Sequence, residues 1–305
     1  MLTQSFIFEK GQVDEGETGV EKMMAEILDG AAVARRVREE VARRVAALRQ
    51  SADRVPGLAT VLVGDDPASE VYVATKRRMS LAVGMAEFHR HLPASSSQHD
   101  VAETIRNFAR NDAVSGILLQ LPLPRHLNAA ALISEIPPHK DVDGLTEVNA
   151  GRLLLAEPGL RPCTPLGVME LLDSCATPLS GALCAVIGRS NLVGKPVAQM
   201  LLQRDATVVM THSRTRDLRE LTRAADVVVA AAGVPGLLTG DAVKEGAAVI
   251  DVGIHRTPKG LIGDVDFATV ATRAGRITPV PGGVGPMTIA MLLRNTMLAA
   301  EGGVR

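Results

Sequence analysis

Short apolar runs, each closed by glycine or proline, alternate with helix-length amphipathic segments along this chain, and the alternation restricts it to a parallel α/β architecture. From Ala31 to Leu48, Val33, Val37, Val41, Val45 and Leu48 fall on one stripe with Arg and Glu between them, the spacing of a helix with one buried face. Leu58 to Val63 reads as a buried strand closed by Gly64-Asp-Asp-Pro67. A helix from Ser69 to Val83, a strand from Glu87 to Leu92, a helix from Asp100 to Arg110 and a strand from Gly116 to Leu121 complete a first series. Pro122 and Pro124, which cannot donate to a ladder, stop that last strand. A second series follows: strand Leu183 to Ile187, a helix from Pro196, strands Thr207 to Thr211, Asp226 to Ala231 and Ala247 to Val252, and a closing apolar helix from Met287 to Ala300. Between the series, Pro137 to Gly144, a helical stretch to about Leu155 and then Pro158 to Pro165 form the candidate junction. A chain of 305 residues exceeds what one core usually serves, so two α/β lobes are expected.

Composition narrows the partners. Lys+Arg 33 against Asp+Glu 34 leaves a formal charge of −1, which gives no electrostatic footprint for nucleic acid or an anionic membrane. No apolar run approaches the roughly 18 to 20 residues a membrane span requires. Cys163, Cys175 and Cys184 have neither Cys-x-x-Cys spacing nor histidine partners at metal spacing, and are expected to be structural thiols in a reducing, cytoplasmic compartment. The first 22 residues turn acidic at Asp14, Glu15, Glu17 and Glu21 and lack the layout of a signal or transit peptide. The patterned chain begins near Met24, and residues 1–23 are expected to be a disordered extension.

The strand Leu183 to Ile187 runs into Gly188-Arg-Ser-Asn-Leu-Val-Gly194-Lys-Pro196. A glycine turn between a strand and a helix N-terminus offers free N–H groups and the positive end of a dipole, which suits a pyrophosphate. Ser190 and Val193 stand where a dinucleotide fingerprint would carry its second and third glycines, and an ordinary βα turn is the alternative. The following strand ends Thr211-His-Ser-Arg-Thr215 without the carboxylate that would hold a ribose 2′-hydroxyl, and Arg189 stands in the turn itself. Cations and hydroxyls there suit a 2′-phosphate, so NADP is favoured over NAD.

Four groups carry possible chemistry. Ser69, Tyr72 and Lys76 are three and four residues apart and share a helix face, on which an amine held against apolar surface would have a lowered pKa; the alternative is a solvated lysine beside Arg77 and Arg78. Gln120 is a polar residue at the carboxyl end of an apolar strand, either a satisfied core amide or a group aimed at a site. Asp141 and Asp143 follow two prolines and suit hydrogen bonding to a donor-rich heterocycle or capping of the next helix; no third ligand is spaced to make a metal site. Pro279 to Pro286 is a rigid loop poor in side chains that admits close approach of a flat ligand, or simply connects two elements.

Taken together, these stretches resemble the bifunctional methylenetetrahydrofolate dehydrogenase/methenyltetrahydrofolate cyclohydrolase family over nearly all of residues 24–300. The matching segments run from Glu26 to Gly30, Val63 to Lys76, Gly116 to Pro124, Lys140 to Gly144, Pro162 to Pro165, Gly188 to Pro196, Val249 to Gly253, Gly263 to Phe267 and Pro279 to Thr288. The resemblance implies that Lys76 is the catalytic amine of the cyclohydrolase step, that Tyr72 stacks on the folate, that Gln120 tunes the lysine and that Asp143 anchors the pterin. It further implies substrate contacts from Ser69, Pro281 and Gly282, and an NADP site made by Gly188, Arg189, Ser190, Val193, Gly194, Ser213 and Ile254, with Arg189 and Ser213 near the 2′-phosphate. Implied with these are a folate-binding lobe of residues 24–148 and 280–305, a Rossmann-like NADP lobe of residues 149–279, a C-terminal helix returning to the first lobe, and a homodimer formed through the NADP lobe. The implied chemistry is oxidation of 5,10-methylenetetrahydrofolate by NADP⁺ and hydrolysis of the methenyl product to 10-formyltetrahydrofolate, with no metal. Two rivals remain at this point: a two-lobed oxidoreductase of a small hydroxy or amino acid, and a non-catalytic folate- or nucleotide-binding protein.

Overall fold

The structure, a computed structural model, describes residues 24–303; the extension expected over residues 1–23 lies outside them. A two-residue strand β1 (Glu26–Ile27) leads into α1 (Gly30–Ala52). The Asp29 carboxylate caps this helix by accepting from Ala32 N at 2.9 Å, supplying a partner that the first turn lacks. The valine stripe is the buried face, with Val33, Val37, Val41 and Val45 all enclosed. Next come β2 (Gly57–Val63), α2 (Pro67–Ala82), β3 (Ala86–Leu92), α3 (Gln98–Arg110) and β4 (Gly116–Leu119). They build a parallel sheet in the order β3-β2-β4, in which β2 is central and buried at every residue. The strand expected to reach Leu121 ends at Leu119. Gln120 keeps one ladder bond, its N–H donating to Val61 O at 2.9 Å, before Pro122 ends the pairing.

Short helices α4 (Ala129–Ile133) and α5 (Glu147–Leu154) cross to α6 (Cys163–Ser174). This last helix occupies part of the stretch read as a junction. Pro165 is its third residue, inside the first turn, where the missing N–H has no helical partner to lose. The second lobe follows: β5 (Leu183–Ile187), α7 (Gly194–Leu202), β6 (Thr207–Thr211), α8 (Leu218–Ala224), β7 (Val227–Ala230) and β8 (Ala248–Asp251). A hairpin of β9 (His255–Thr257) and β10 (Gly260–Ile262), then α9 (Phe267–Val270) and β11 (Arg276–Ile277), precede α10 (Val284–Ala300).

The large sheet is parallel throughout, in the order β1-β11-β8-β7-β5-β6. Because the chain leaves β5 for β6 on one side and returns as β7 on the other, the strand order reverses at β5. Open α/β sheets bind ligands in the crevice beyond the carboxyl ends at such a point. The helices α1, α6 and α10 pack on one another between the sheets. One apolar cluster runs through them from Leu58 and Leu118 of the small sheet to Val186, Val229 and Ile250 of the large one. The C-terminal helix therefore returns to the first lobe, reaching α2, β2 and β4; it is mostly apolar and mostly buried, with Asn295 and Thr296 its buried polar side chains and Arg294 paired with Glu170.

Candidate active site

The start of α2 fixes which of its residues look inward. Asp66 accepts from Ser69 N at 2.8 Å and Pro67 occupies the first turn. From that start, Ser69, Val73, Lys76 and Ser80 form the buried face. Lys76 is therefore an inward-facing lysine, only 5% exposed, while its neighbour Arg78 faces solvent. Its Nζ donates to Gln120 Oε1 at 3.0 Å and lies 4.3 Å from the centroid of the Tyr72 ring. Gln120 itself is held at the end of β4, its amide donating to Leu121 O.

The two aspartates of the 140–144 loop divide their roles. Asp141 is buried and accepts from Thr146 N at 2.8 Å, Thr146 Oγ1 at 2.7 Å, Asn149 Nδ2 at 2.8 Å and Leu145 N at 3.1 Å. With these donors saturating it, Asp141 fastens the loop to the N-terminus of α5. Asn295 of α10 adds a clasp, its amide donating to Val142 O and Arg161 O, each at 2.9 Å. Asp143 is left to face a cavity of about 200 Å³ together with Tyr72, Lys76, Gln120, Cys163 and Thr288.

Electrostatics in this cavity oppose one another. Burial pushes the Lys76 pKa down, against the attraction of Asp143. Burial likewise pushes the Asp143 carboxyl up, against Lys76 and a hydrogen bond from Cys163. Burial also raises the Tyr72 phenol, and raises the Cys163 thiol well above its ordinary value, so both stay protonated at neutral pH. The Tyr72 hydroxyl meets Thr288, whose Oγ1 lies 2.9 Å from Thr164 Oγ1. Thr164, Thr288, Leu145 and Leu192 line the cavity without having stood out in the sequence, and the buried Cys163, expected only as a structural thiol, lines it too; all but Leu145 lie inside the matched segments. Thr164 and Cys163 open α6 as small side chains in its first turn, which is the only local signal any of them carries.

At the switch point, β5 runs into Gly188, whose φ of +118° favours glycine; a Cβ there would stand 2.1 Å from Ala231 O. A Cβ on Gly194 would stand 2.2 Å from Gly188 O, so both glycines are needed for the chain to close this turn. Ser190 Oγ accepts from Val193 N at 3.1 Å and Gly194 N at 3.4 Å, which braces the loop ahead of α7. Gly188 N donates to Thr211 O at 2.9 Å, and this bond sets Arg189 beside the loop that carries Ser213. Both residues are exposed, and neither side chain is engaged by another among the described residues. Their surroundings fit a 2′-phosphate: a free guanidinium and hydroxyl beside a glycine turn, with no carboxylate. Val193 and Leu192 of the same loop also line the Lys76 cavity, so the two regions share a wall.

Other expected residues stand further out. Ser69 is buried in the first turn of α2 but is not among the cavity's lining residues. Gly282 holds the start of α1, its O accepting from Ala31 N at 2.9 Å, and neither it nor Pro281 is in that lining. Ile254 follows β8 and is 59% exposed, with its Cδ1 3.7 Å from where a Cβ on Gly285 would stand.

Comparison with known proteins agrees along the chain. Residues 28–143 match the model of the tetrahydrofolate dehydrogenase/cyclohydrolase catalytic domain, and residues 162–303 that of the NAD(P)-binding domain of the same family. Bifunctional protein FolD 2 of Frankia casuarinae is 62% identical over 279 residues, covering 92% of this chain and 97% of that protein. The crystal structure of the bifunctional enzyme FolD, methylenetetrahydrofolate dehydrogenase/cyclohydrolase, from Campylobacter jejuni superposes with a TM-score of 0.89 at 44% identity, covering 92% of this chain and all of that one (100%). A Trypanosoma brucei methylenetetrahydrofolate dehydrogenase-cyclohydrolase, solved with NADP cofactor and an inhibitor, gives a TM-score of 0.89 at 41% identity, covering 92% and 99% of the two chains. With both of its lobes matched and the Lys76 cavity set against a glycine turn, this chain belongs to the tetrahydrofolate dehydrogenase/cyclohydrolase family.

Proposed function

We propose that the cavity around Lys76 serves both activities of a bifunctional enzyme, which oxidises 5,10-methylenetetrahydrofolate with NADP⁺ and hydrolyses the resulting 5,10-methenyltetrahydrofolate to 10-formyltetrahydrofolate. One observation carries the reading: the 3.0 Å contact of Lys76 Nζ with Gln120 Oε1 lies in a cavity also walled by Val193 of the glycine turn. A substrate held there has a proton-transfer group on one side and the nucleotide lobe on the other. Neither the small hydroxy or amino acid oxidoreductase nor a merely binding protein accounts for the buried amine and its partners.

The roles follow from placement. The Tyr72 ring offers a flat apolar face for the folate next to the amine, and Asp143 offers a carboxylate to the donor-rich pterin. Bound NADP⁺ supplies the hydride acceptor for the first step. Gly188, Ser190, Val193 and Gly194 form the turn that would hold its phosphates, Arg189 and Ser213 would meet the 2′-phosphate, and Ile254 would offer an apolar side chain to the cofactor from the loop after β8. In the hydrolytic step water adds to the methenyl carbon and Lys76, whose pKa burial has lowered, takes the proton that water releases; the bond from that carbon to N5 then breaks as N5 takes up the remaining hydroxyl proton, leaving the formyl group on N10. Gln120 holds Nζ by its one carbonyl oxygen, which fixes the amine without giving it a counter-charge. Ser69, Pro281 and Gly282 belong to the periphery of the folate site in this reading. A homodimer through the nucleotide lobe is part of the same proposal; β6 forms one edge of the large sheet, and Val208, Val209 and Met210 on it are only partly buried.

The test is a spectrophotometric assay of purified protein with methylenetetrahydrofolate and either NADP⁺ or NAD⁺. NADPH should form with a higher kcat/KM than NADH, and 10-formyltetrahydrofolate should accumulate. A higher kcat/KM with NAD⁺ would overturn the cofactor assignment.

A further inference from the structure

Two of the family-like segments, Val249 to Gly253 and Gly263 to Phe267, contain no residue that the proposed chemistry uses. The structure brings their acids together. Asp264 is fully buried, and its Oδ2 accepts from Ala232 N at 2.7 Å and Gly233 N at 2.8 Å, the loop that follows β7. Its Oδ1 accepts from His255 Nε2 at 2.7 Å. Asp251, 3% exposed, accepts from Gly253 N and Asp264 N at 2.9 Å and from Val265 N at 3.0 Å. The fit is tight: a Cβ on Gly253 would stand 2.2 Å from Asp264 Oδ1, and one on Gly263 1.8 Å from Asp251 Oδ2.

These bonds converge on Ile254. The residue before it is held through its backbone by Asp251, and the residue after it through its ring by Asp264. The same Asp264 fixes the 232–233 loop, which starts beside the Gly188 turn at the sheet's carboxyl edge. We infer that His255 and Asp264 are positioning residues for the dehydrogenase step: together they set the 232–233 loop and Ile254 at the distance from which these can hold the dinucleotide. The inference rests on the reading of that edge as the NADP site. A buried carboxylate with fixed donors keeps its geometry better than a loop does alone, and small misplacements of holding groups cost rate steeply. Lys76, Gln120 and Asp143 lie on other elements, so the effect should fall on one activity and not the other.

The experiment compares the wild type with His255→Ala, His255→Gln and Asp264→Asn in two assays: NADP⁺ reduction with methylenetetrahydrofolate, and direct hydrolysis of methenyltetrahydrofolate. His255→Ala should raise KM for NADP⁺ about tenfold while hydrolysis stays within about twofold. His255→Gln retains an N–H that reaches the carboxylate and should recover most of the loss. Asp264→Asn should show the same selective defect, and the half-buried His255 variants keep the test open if the buried substitution does not fold. Wild-type values for His255→Ala in both assays, or an equal fall in both, would overturn the positioning role. A wild type that hydrolyses methenyltetrahydrofolate but does not reduce NADP⁺ would instead overturn the cofactor-site reading, and this inference with it.

Discussion

Lys76 Nζ donates to Gln120 Oε1 across 3.0 Å, joining the buried face of α2 to the carboxyl end of β4. The partner is a neutral amide, and that choice matters. A carboxylate at this position would stabilise the ammonium, whereas an amide holds it in place and leaves burial to set its pKa, which is lowered.

Replacing the amide with an acid should therefore change the pH profile. In Gln120→Glu the new charge favours protonated Lys76, so the free amine appears only at higher pH. The ascending limb of methenyltetrahydrofolate hydrolysis that reports this amine should move toward alkaline pH by about one unit or more. Initial rates from pH 6 to pH 10 check this, and an unmoved limb would remove Lys76 from the proton-transfer role.

Arg189 has no partner among the described residues and stands next to the loop carrying Ser213. Arg189→Ala should weaken NADP⁺ about 10- to 100-fold through the loss of a charge-assisted bond, and weaken NAD⁺ far less. Steady-state KM values for the two cofactors measure the difference. Equal losses for both would place Arg189 at the shared pyrophosphate and not at the 2′-phosphate.

Asp251 couples the nucleotide lobe to pH. Burial raises its carboxyl from 3.8 to about 6, against three backbone N–H bonds that favour the charged form. A folded-state value above the unfolded one means that the folded protein takes up the proton first. The resulting stability is fully present below pH 3.8 and is lost as pH rises through about 6. Going from pH 8 to pH 5, the wild type should gain about 1 kcal/mol relative to Asp251→Asn, which cannot take up that proton. Urea titrations of both proteins at the two pH values test the sign, and a difference that shrinks on acidification would contradict it.

Much of the fold was legible because buried parallel strands are short apolar runs. Leu183–Ile187 and Thr207–Thr211 have the bounds their residues suggested, and the valine stripe of α1 is its buried face. The β9–β10 hairpin and the short helices α4, α8 and α9 escaped, and two further kinds of element escaped for clear physical reasons. The strands Glu26–Ile27 and Arg276–Ile277 pair with each other over just two residues, too few for any periodicity, across a separation that no local pattern reports. The helix Cys163–Ser174 was hidden by Pro165, which reads as a breaker unless the helix start is already known.

The site was legible in its parts but not in their meeting. Spacing placed Tyr72 and Lys76 on one face, yet only the cap at Asp66 and the packing of Val73 and Ser80 show that the face is turned inward. Asp141 and Asp143 looked equivalent in sequence, and tertiary donors from Thr146 and Asn149 tell them apart. The hydroxyls of Thr164 and Thr288 lie far apart in the chain and meet only because α10 returns to pack against α6.

The most direct test of the shared site is Lys76→Ala, assayed for methenyltetrahydrofolate hydrolysis and for NADP⁺ binding in the same preparation. Loss of a positioned acid–base group should lower hydrolysis by about 100-fold or more, while NADP⁺ still binds at the separate glycine turn. Full hydrolysis by Lys76→Ala would contradict the account.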